Sequence, residues 1–346
     1  MRHFSDFPQN ISQNARILVA PLDWGLGHAS RCIPLIGRLI NEKNAQVTVA
    51  ATGAQRAIIN EAFPNISFLT PPLYDIKYHK NRAVTVARLV FSMPGILWTI
   101  RAEANWLDTI LDAQAFDAII SDNRYGLSCS TIPSYLVTHQ LLVKTAFGDG
   151  VNHLVQRRLY KLINRFTECW VPDFEKEPSL AGELSHPALL PAIPVRYLGP
   201  LSRLTTPEPN SNTQLLVLLS GPEPQRTILE KLVIKQWSAR PGESMVLVRG
   251  LPLEKANLPN IPNARVYNHL SVAGFSQEVA NARAILCRSG YSSIMDLIPL
   301  KKQCFMVATP GQTEQEYLSG FLASQGRITA IDQNKLQVSE LLAAIQ

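Results

Sequence analysis

The sequence is poor in charge, has no regular cysteine spacing and contains no long apolar run. Charged residues make up 17% of the chain and apolar residues 46%, which excludes a disordered or strongly self-repelling chain. The five cysteines, Cys32, Cys129, Cys169, Cys287 and Cys304, are odd in number, widely spaced and form no C-x-x-C. That argues against a disulfide framework or a zinc cluster and fits a reducing cytosol. No Asp-x-Asp occurs, so a common acidic pair for holding a divalent ion is missing, and no metal is expected. Met1 to Arg16 has no apolar core, so no signal peptide is expected. The most apolar stretch, Leu89 to Ile100, is too short to span a bilayer and contains Pro94. The basic residues are dispersed and lack an aromatic-rich motif, which argues against a nucleic-acid partner.

What is present is a net charge of +6 over 346 residues. The charge favours anionic partners, and the length favours two domains. Strand-like runs alternate with helical stretches. Arg16 to Ala20, Gln46 to Ala51, Ile66 to Leu69, Ala118 to Ser121 and Tyr135 to Thr138 read as strands, with a helix over Arg31 to Glu42. A second series runs through Leu215 to Leu219, Met245 to Arg249, Arg265 to Tyr267, Ala284 to Cys287 and Gln303 to Val307, with a helix over Gln225 to Trp237. Between them, Leu198 to Asn212 is rich in Pro, Ser, Thr and Asn. This predicts an α/β chain of two doubly wound parallel sheets: a domain over 1–200, a linker over 201–212 and a domain over 213–346. Two such halves facing one another make a cleft, with ligands beyond the carboxyl ends of the strands.

The loops at those ends carry the candidate chemistry. Pro21 to Arg31 (PLDWGLGHASR) follows the first strand, and Gly25 and Gly27 permit a tight turn. Ser30 replaces the third glycine of a dinucleotide fingerprint, so that reading is weak. His28, at the helix start, suits a general base or merely caps the turn. Asp122, Asn123 and His139 end later strands and line the acceptor side, or serve as turn and capping groups; Asp122 or His139 is the alternate base. In the second series, Ser220, Gly221 and Arg226 offer amides, a hydroxyl and a charge, or form an ordinary turn. Cys287 to Asp296 (CRSGYSSIMD) runs from a strand through Arg288, Ser289 and Gly290 into a helix, an arrangement suited to a phosphate. Asp296 lies nearly two turns in and could accept from ribose hydroxyls. Gln315 and Glu316 suit a polyhydroxyl ligand or a polar helix face.

These motifs together resemble the GT-B-fold glycosyltransferases, in particular family 28, whose best-known member adds N-acetylglucosamine to the lipid-linked peptidoglycan precursor. The resemblance covers most of the chain and is strongest over 215–330. It implies two Rossmann-like domains facing a cleft, with no cofactor and a nucleotide-sugar donor, by preference a UDP-sugar. It further implies that Ser289 and Gly290 face the diphosphate, Asp296 the ribose, and Gln315 and Glu316 the sugar. Tyr267 to Leu270, with His269 and Leu270, would lie against the base. Direct displacement with inversion follows, His28 taking the acceptor proton. Asp296 and Glu316 depart from the Glu and Gln of the peptidoglycan enzyme, and Gly221-Pro222 stands in place of a Gly-Gly, so the chain reads as a divergent relative.

Leu73 to Trp106 mixes Lys77, His79, Lys80, Arg82, Arg88 and Arg101 with Leu89, Phe91, Leu97 and Trp98. Arg157, Arg158, Lys161 and Arg165 have helical spacing. Either an anionic membrane and a lipid-linked acceptor, or a core-facing segment with a solvated basic face, accounts for this pattern. The setting expected is cytoplasmic, with peripheral membrane contact left open. A sugar-nucleotide epimerase or hydrolase of the same fold, and a non-catalytic sugar-nucleotide binder, are the alternatives.

Overall fold

The computed structural model describes residues 10–74, 91–237, 243–255 and 258–345. The chain divides into two compact units, with the break after Ser202.

The first unit is built on seven parallel strands in the order β3-β2-β1-β4-β5-β6-β7. They are β1 (Arg16–Pro21), β2 (Gln46–Ala50), β3 (Ser67–Leu69), β4 (Ala118–Asp122), β5 (Ser134–Val137), β6 (Glu168–Val171) and β7 (Val195–Tyr197). Helices α1 (Leu26–Lys43), α2 (Gly53–Ala62), α3 (Met93–Ala113) and α4 (Asp149–Ile163) connect them. The central strands are apolar on both faces because helices cover both, as parallel sheets require. Ile17, Leu18, Val19 and Ala20 of β1 are fully buried, and each large apolar side chain so removed from water contributes roughly 1.5–3 kcal/mol.

The second unit repeats the plan with six parallel strands in the order β10-β9-β8-β11-β12-β13. They are β8 (Thr213–Leu218), β9 (Met245–Val248), β10 (Ala264–Tyr267), β11 (Ala282–Arg288), β12 (Gln303–Val307) and β13 (Thr329–Ala330). The helices are α5 (Gln225–Trp237), α6 (Val272–Asn281), α7 (Tyr291–Leu297), α8 (Thr313–Ser324) and α9 (Val338–Ala343). Its core gathers Leu215, Val217, Leu229, Val233, Trp237, Leu247, Leu286 and Phe305.

Both sheets are wound outward in two directions from their first strand, so each has a topological switch point. In the first unit it lies between β1 and β4, and in the second between β8 and β11. Ligands of open α/β sheets sit at such points, beyond the strand carboxyl ends.

All ten expected strands are present, in the expected parallel sheets. Two details differ. The first helix begins at Leu26 and not at Arg31, which places His28 in its first turn. The Pro-rich segment after Leu201 is irregular but pinned to the second unit. Arg203 N donates to Asp296 Oδ1 (3.3 Å), Thr205 N to Ser276 Oγ (3.1 Å) and Asn210 N to Asn281 Oδ1 (3.0 Å). Such side-chain acceptors satisfy a backbone that makes no ladder.

Candidate active site

At the switch point of the first sheet, Asp122 closes β4 beside Pro21 of β1. The chain leaves β1 through Leu22–Gly25, and Gln55 of α2 holds this loop by donating from Nε2 to the carbonyls of Leu22 (2.5 Å) and Gly25 (2.7 Å). Gly25 has φ 85°, a left-handed conformation that a glycine adopts without strain. That turn launches α1 with His28 facing Asp122.

His28 Nδ1 lies 3.0 Å from Asp122 Oδ1. Arg31, three residues on and therefore on the same helix face, donates from Nε to Asp122 Oδ2 (2.7 Å) and from Nη2 to Oδ1. Its Nη2 is also 2.9 Å from His28 Nδ1, and its Nη1 is 3.4 Å from His139 Nδ1. Asp122 and Arg31 are buried, His139 is 3% exposed, and the His28 side chain keeps 16% exposure. Burial would raise the Asp122 carboxyl, but Arg31 and His28 outweigh it and hold it well below the ordinary carboxylate range. Burial, aided by the Arg31 charge and opposed by Asp122, keeps His28 below the ordinary imidazole range. At neutral pH the group is a neutral imidazole held against an ionised carboxylate.

Asn123 follows with φ 57°, and its Oδ1 is buried without a hydrogen-bond partner. A buried, fully satisfied network braces the adjoining loop. Arg124 donates to Glu103 Oε1 (2.9 Å), Asp23 Oδ1 (3.2 Å) and the carbonyls of Pro21 and Pro72, while Glu103 accepts from Tyr74 Oη (2.9 Å) and Gly126 N (3.0 Å).

At the switch point of the second sheet the groups are backbone and small side chains. Ser220 and Gly221 follow β8, and Gly221 has φ 95°. Ser289 and Gly290 follow β11 and open α7, with Ser289 Oγ donating to the Gln315 carbonyl (3.0 Å). Gln315 Oε1 accepts from Thr309 N (2.9 Å), and its Nε2 lies 3.8 Å from where a Cβ on Gly290 would stand. The Thr309 hydroxyl is buried without a partner, 3.9 Å from where a Cβ on Gly221 would stand. Thus Ser220, Gly221, Ser289, Gly290 and Gln315 come together around three neighbouring strand ends.

The other expected donor residues lie as follows in the second unit. Arg226 is buried and donates to Glu223 Oε1 (2.6 Å) in the turn before α5 and to Glu230 Oε2 (2.9 Å) within it, so its charge is neutralised locally. Arg288 is fully buried. It donates to the carbonyls of Ala308 (3.1 Å) and Gln225 (2.8 Å) and to Gln333 Oε1 (2.7 Å). No carboxylate among the described residues pairs with it, and burial pushes its pKa down to about 10. Asp296 holds Arg203, with Nε at 3.9 Å. Glu316 Oε1 accepts from Gly311 N (3.1 Å), bracing the loop before α8. His269 and Leu270 are half-buried just past β10, beside Asn268, which Arg249 fixes through Nη1 to Oδ1 (2.7 Å).

Sequence reasoning passed over Arg31, Thr309 and the Arg124 network. Arg31 carried a signal: a cation in the second turn of a helix opposes the helix dipole, so a buried one there requires a carboxylate. The basic segment around Lys77 to Arg88 lies outside the described residues. At its edge Phe91 (83% exposed), Met93, Leu97 and Trp98 are exposed on or just before α3, whereas Ile100 and Leu107 are buried. No helix among the described residues is long and apolar enough to cross a membrane.

No family model and no curated protein matches the sequence. Solved structures do match its fold. The spinosyn rhamnosyltransferase SpnG complexed with thymidine diphosphate is 13% identical, covers 95% of this chain and 92% of its own, and has a TM-score of 0.64. An Arabidopsis thaliana protein complexed with UDP-L-rhamnose is 12% identical over 96% of this chain and 90% of its own, with a TM-score of 0.57. The glycosyltransferase SnogD from Streptomyces nogalater is 16% identical over 96% and 91%, with a TM-score of 0.56. The chain has the two-sheet GT-B architecture of these glycosyltransferase structures. At such identities the likeness is one of fold, and within it the particular reaction rests on the residues described above.

Proposed function

We propose that this chain is a glycosyltransferase that moves a sugar from a nucleoside diphosphate donor to a hydroxyl acceptor, with inversion and without a metal. The observation that carries it is the pairing of His28 Nδ1 with Asp122 Oδ1 at 3.0 Å, at the switch point of the first sheet. With its Nδ1 proton donated to Asp122, the imidazole has Nε2 free to accept a proton. His28 takes the acceptor proton as the hydroxyl oxygen attacks the anomeric carbon, and nucleoside diphosphate departs. Such a base contributes about 10²–10⁴-fold.

The second unit holds the donor. Backbone N–H groups at Gly221 and at Ser289-Gly290 meet the diphosphate. Arg288, buried behind them with no carboxylate partner among the described residues, adds a standing positive charge. Gln315 faces the sugar. Two neighbours of this fold were solved with thymidine diphosphate and with UDP-L-rhamnose, which supports a pyrimidine nucleotide. The likeness of Cys287 to Asp296 to family 28 supports UDP.

The acceptor is apolar. The exposed Phe91, Leu97 and Trp98, and an α4 face carrying Val151 and Leu154 beside Arg157, Arg158 and Lys161, suit a lipid-linked acceptor on an anionic cytoplasmic membrane surface. Co-sedimentation with anionic vesicles separates this from a free aglycone acceptor, for which no vesicle binding is expected. The donor reading is tested by thermal shift with UDP- and TDP-sugars in EDTA. A ligand at about 100 times its Kd adds roughly 2.7 kcal/mol of stability. No shift with any nucleotide would end the reading. Donor breakdown or epimerisation in the absence of acceptor would favour a hydrolase or epimerase, and tight binding with no turnover would favour a non-catalytic binder.

A further inference from the structure

The displacement described above uses His28 and Asp122, yet the most heavily engaged group at that site is Arg31. It is 2% exposed. It grips both Asp122 oxygens, from Nε (2.7 Å) and Nη2, and its Nη1 reaches to 3.4 Å from His139 Nδ1. A planar fork matched to a carboxylate fixes geometry as well as charge.

A dyad without Arg31 would behave differently. A buried carboxylate whose only chargeable cationic neighbour is an imidazole draws a second proton onto the ring, because the imidazolium is its sole counter-ion. An imidazolium has no lone pair and cannot act as a base. With Arg31 present, the Asp122 charge is already balanced. Arg31 Nη2 also lies 2.9 Å from His28 Nδ1. With Nδ1–H donating to Asp122, the guanidinium charge beside the ring opposes a further charge on it. Of the remaining titratable groups around the dyad, His139 opposes a charge on the His28 ring, in the same sense as Arg31. Cys32 of α1, with Sγ 3.6 Å from Asp122 Oδ2, and Tyr125 after β4 are both pushed up by burial and stay neutral. His139, after β5, lies on the far side of the guanidinium.

We propose that Arg31 is a positioning residue: the standing counter-ion of Asp122, which leaves His28 uncharged with its Nδ1 committed to the carboxylate and its Nε2 open. The inference rests on the reading of His28 as the base, but it can be measured without turnover.

Imidazole ¹H–¹⁵N spectra of the full chain are followed from pH 5 to 8, with His28→Gln used to assign the His28 signal. The wild type is expected to show a neutral Nδ1–H ring at pH 7. In Arg31→Met the His28 midpoint is expected to rise by about one pH unit, a tenfold change in protonation. The acid limb of kcat/KM should move with it, while the donor KM stays unchanged. Arg31→Lys keeps the cation without the fork and is the safer variant for folding. A mixture of both ring tautomers and a lower kcat are expected from it. Three results would overturn the proposal: a wild-type Nε2–H ring, an unmoved midpoint in a folded Arg31→Met, or an Arg31→Lys spectrum identical to wild type. If His28→Gln leaves transfer intact while the Arg31 variants still shift the ring, the base assignment falls and the counter-ion role stands.

Discussion

The two sheets share one winding plan but put opposite kinds of chemistry at their switch points. Between β1 and β4 the chain gathers buried ionisable side chains, His28, Arg31, Asp122 and His139, held to one another within 3.4 Å. Between β8 and β11 it presents glycines, hydroxyls and amides, and the arginines of that region are turned back into their own unit. In the function proposed above, the first site holds one proton in a defined place, and the second surrounds an anionic, polyhydroxyl ligand with donors. Common topology supplies the location, and local side-chain choice supplies the reaction.

That contrast can be broken at several points. His28→Gln is expected to lower kcat by about 10²–10⁴-fold, with nucleotide-sugar binding, followed by thermal shift, unchanged. Asp122→Asn removes the buried charge that Arg31 grips through Nε and Nη2 and should cost about 3–5 kcal/mol in chemical denaturation. Gly221→Ala forces a side chain into a φ of 95°. It should cost about 1–3 kcal/mol and raise the donor KM while sparing the His28 titration. A milder test is the pH dependence of Tm. Because His28 is held below the ordinary imidazole range in the fold, the unfolded chain binds the extra proton more readily below about pH 6.5. Stability is therefore full above that pH and falls as acid is added, and His28→Gln should flatten the decline between pH 6.5 and 5. The smallest expected effect is that of EDTA, which should leave turnover unchanged.

Much of the fold was legible because apolar runs such as Ile17–Ala20 and Leu215–Leu219 are buried on both faces and read continuously. The short strands β6, β7 and β13 were missed: Glu168–Val171 carries a polar first residue, and Val195–Tyr197 and Thr329–Ala330 lie at sheet edges with too few residues for a pattern. The place of His28 at the opening of α1, after a glycine turn, was legible. Its partnership with Asp122 was not, because the two are 94 positions apart and meet only through the β1–β4 pairing. The direction in which Arg226 and Arg288 turn was not legible, for a similar reason. A basic residue beside a phosphate-like turn looks the same in sequence whether its guanidinium turns outward or, as here, back onto Glu230 or the Gln225 carbonyl.

The most direct test is a mass-spectrometric assay of wild type and His28→Gln, each given UDP- or TDP-sugars with apolar hydroxyl acceptors. The account predicts that the acceptor gains one sugar, and nucleoside diphosphate is released, only with the wild type, while the variant still binds the donor. Equal transfer by His28→Gln, or donor consumption with no glycosylated acceptor, would contradict it.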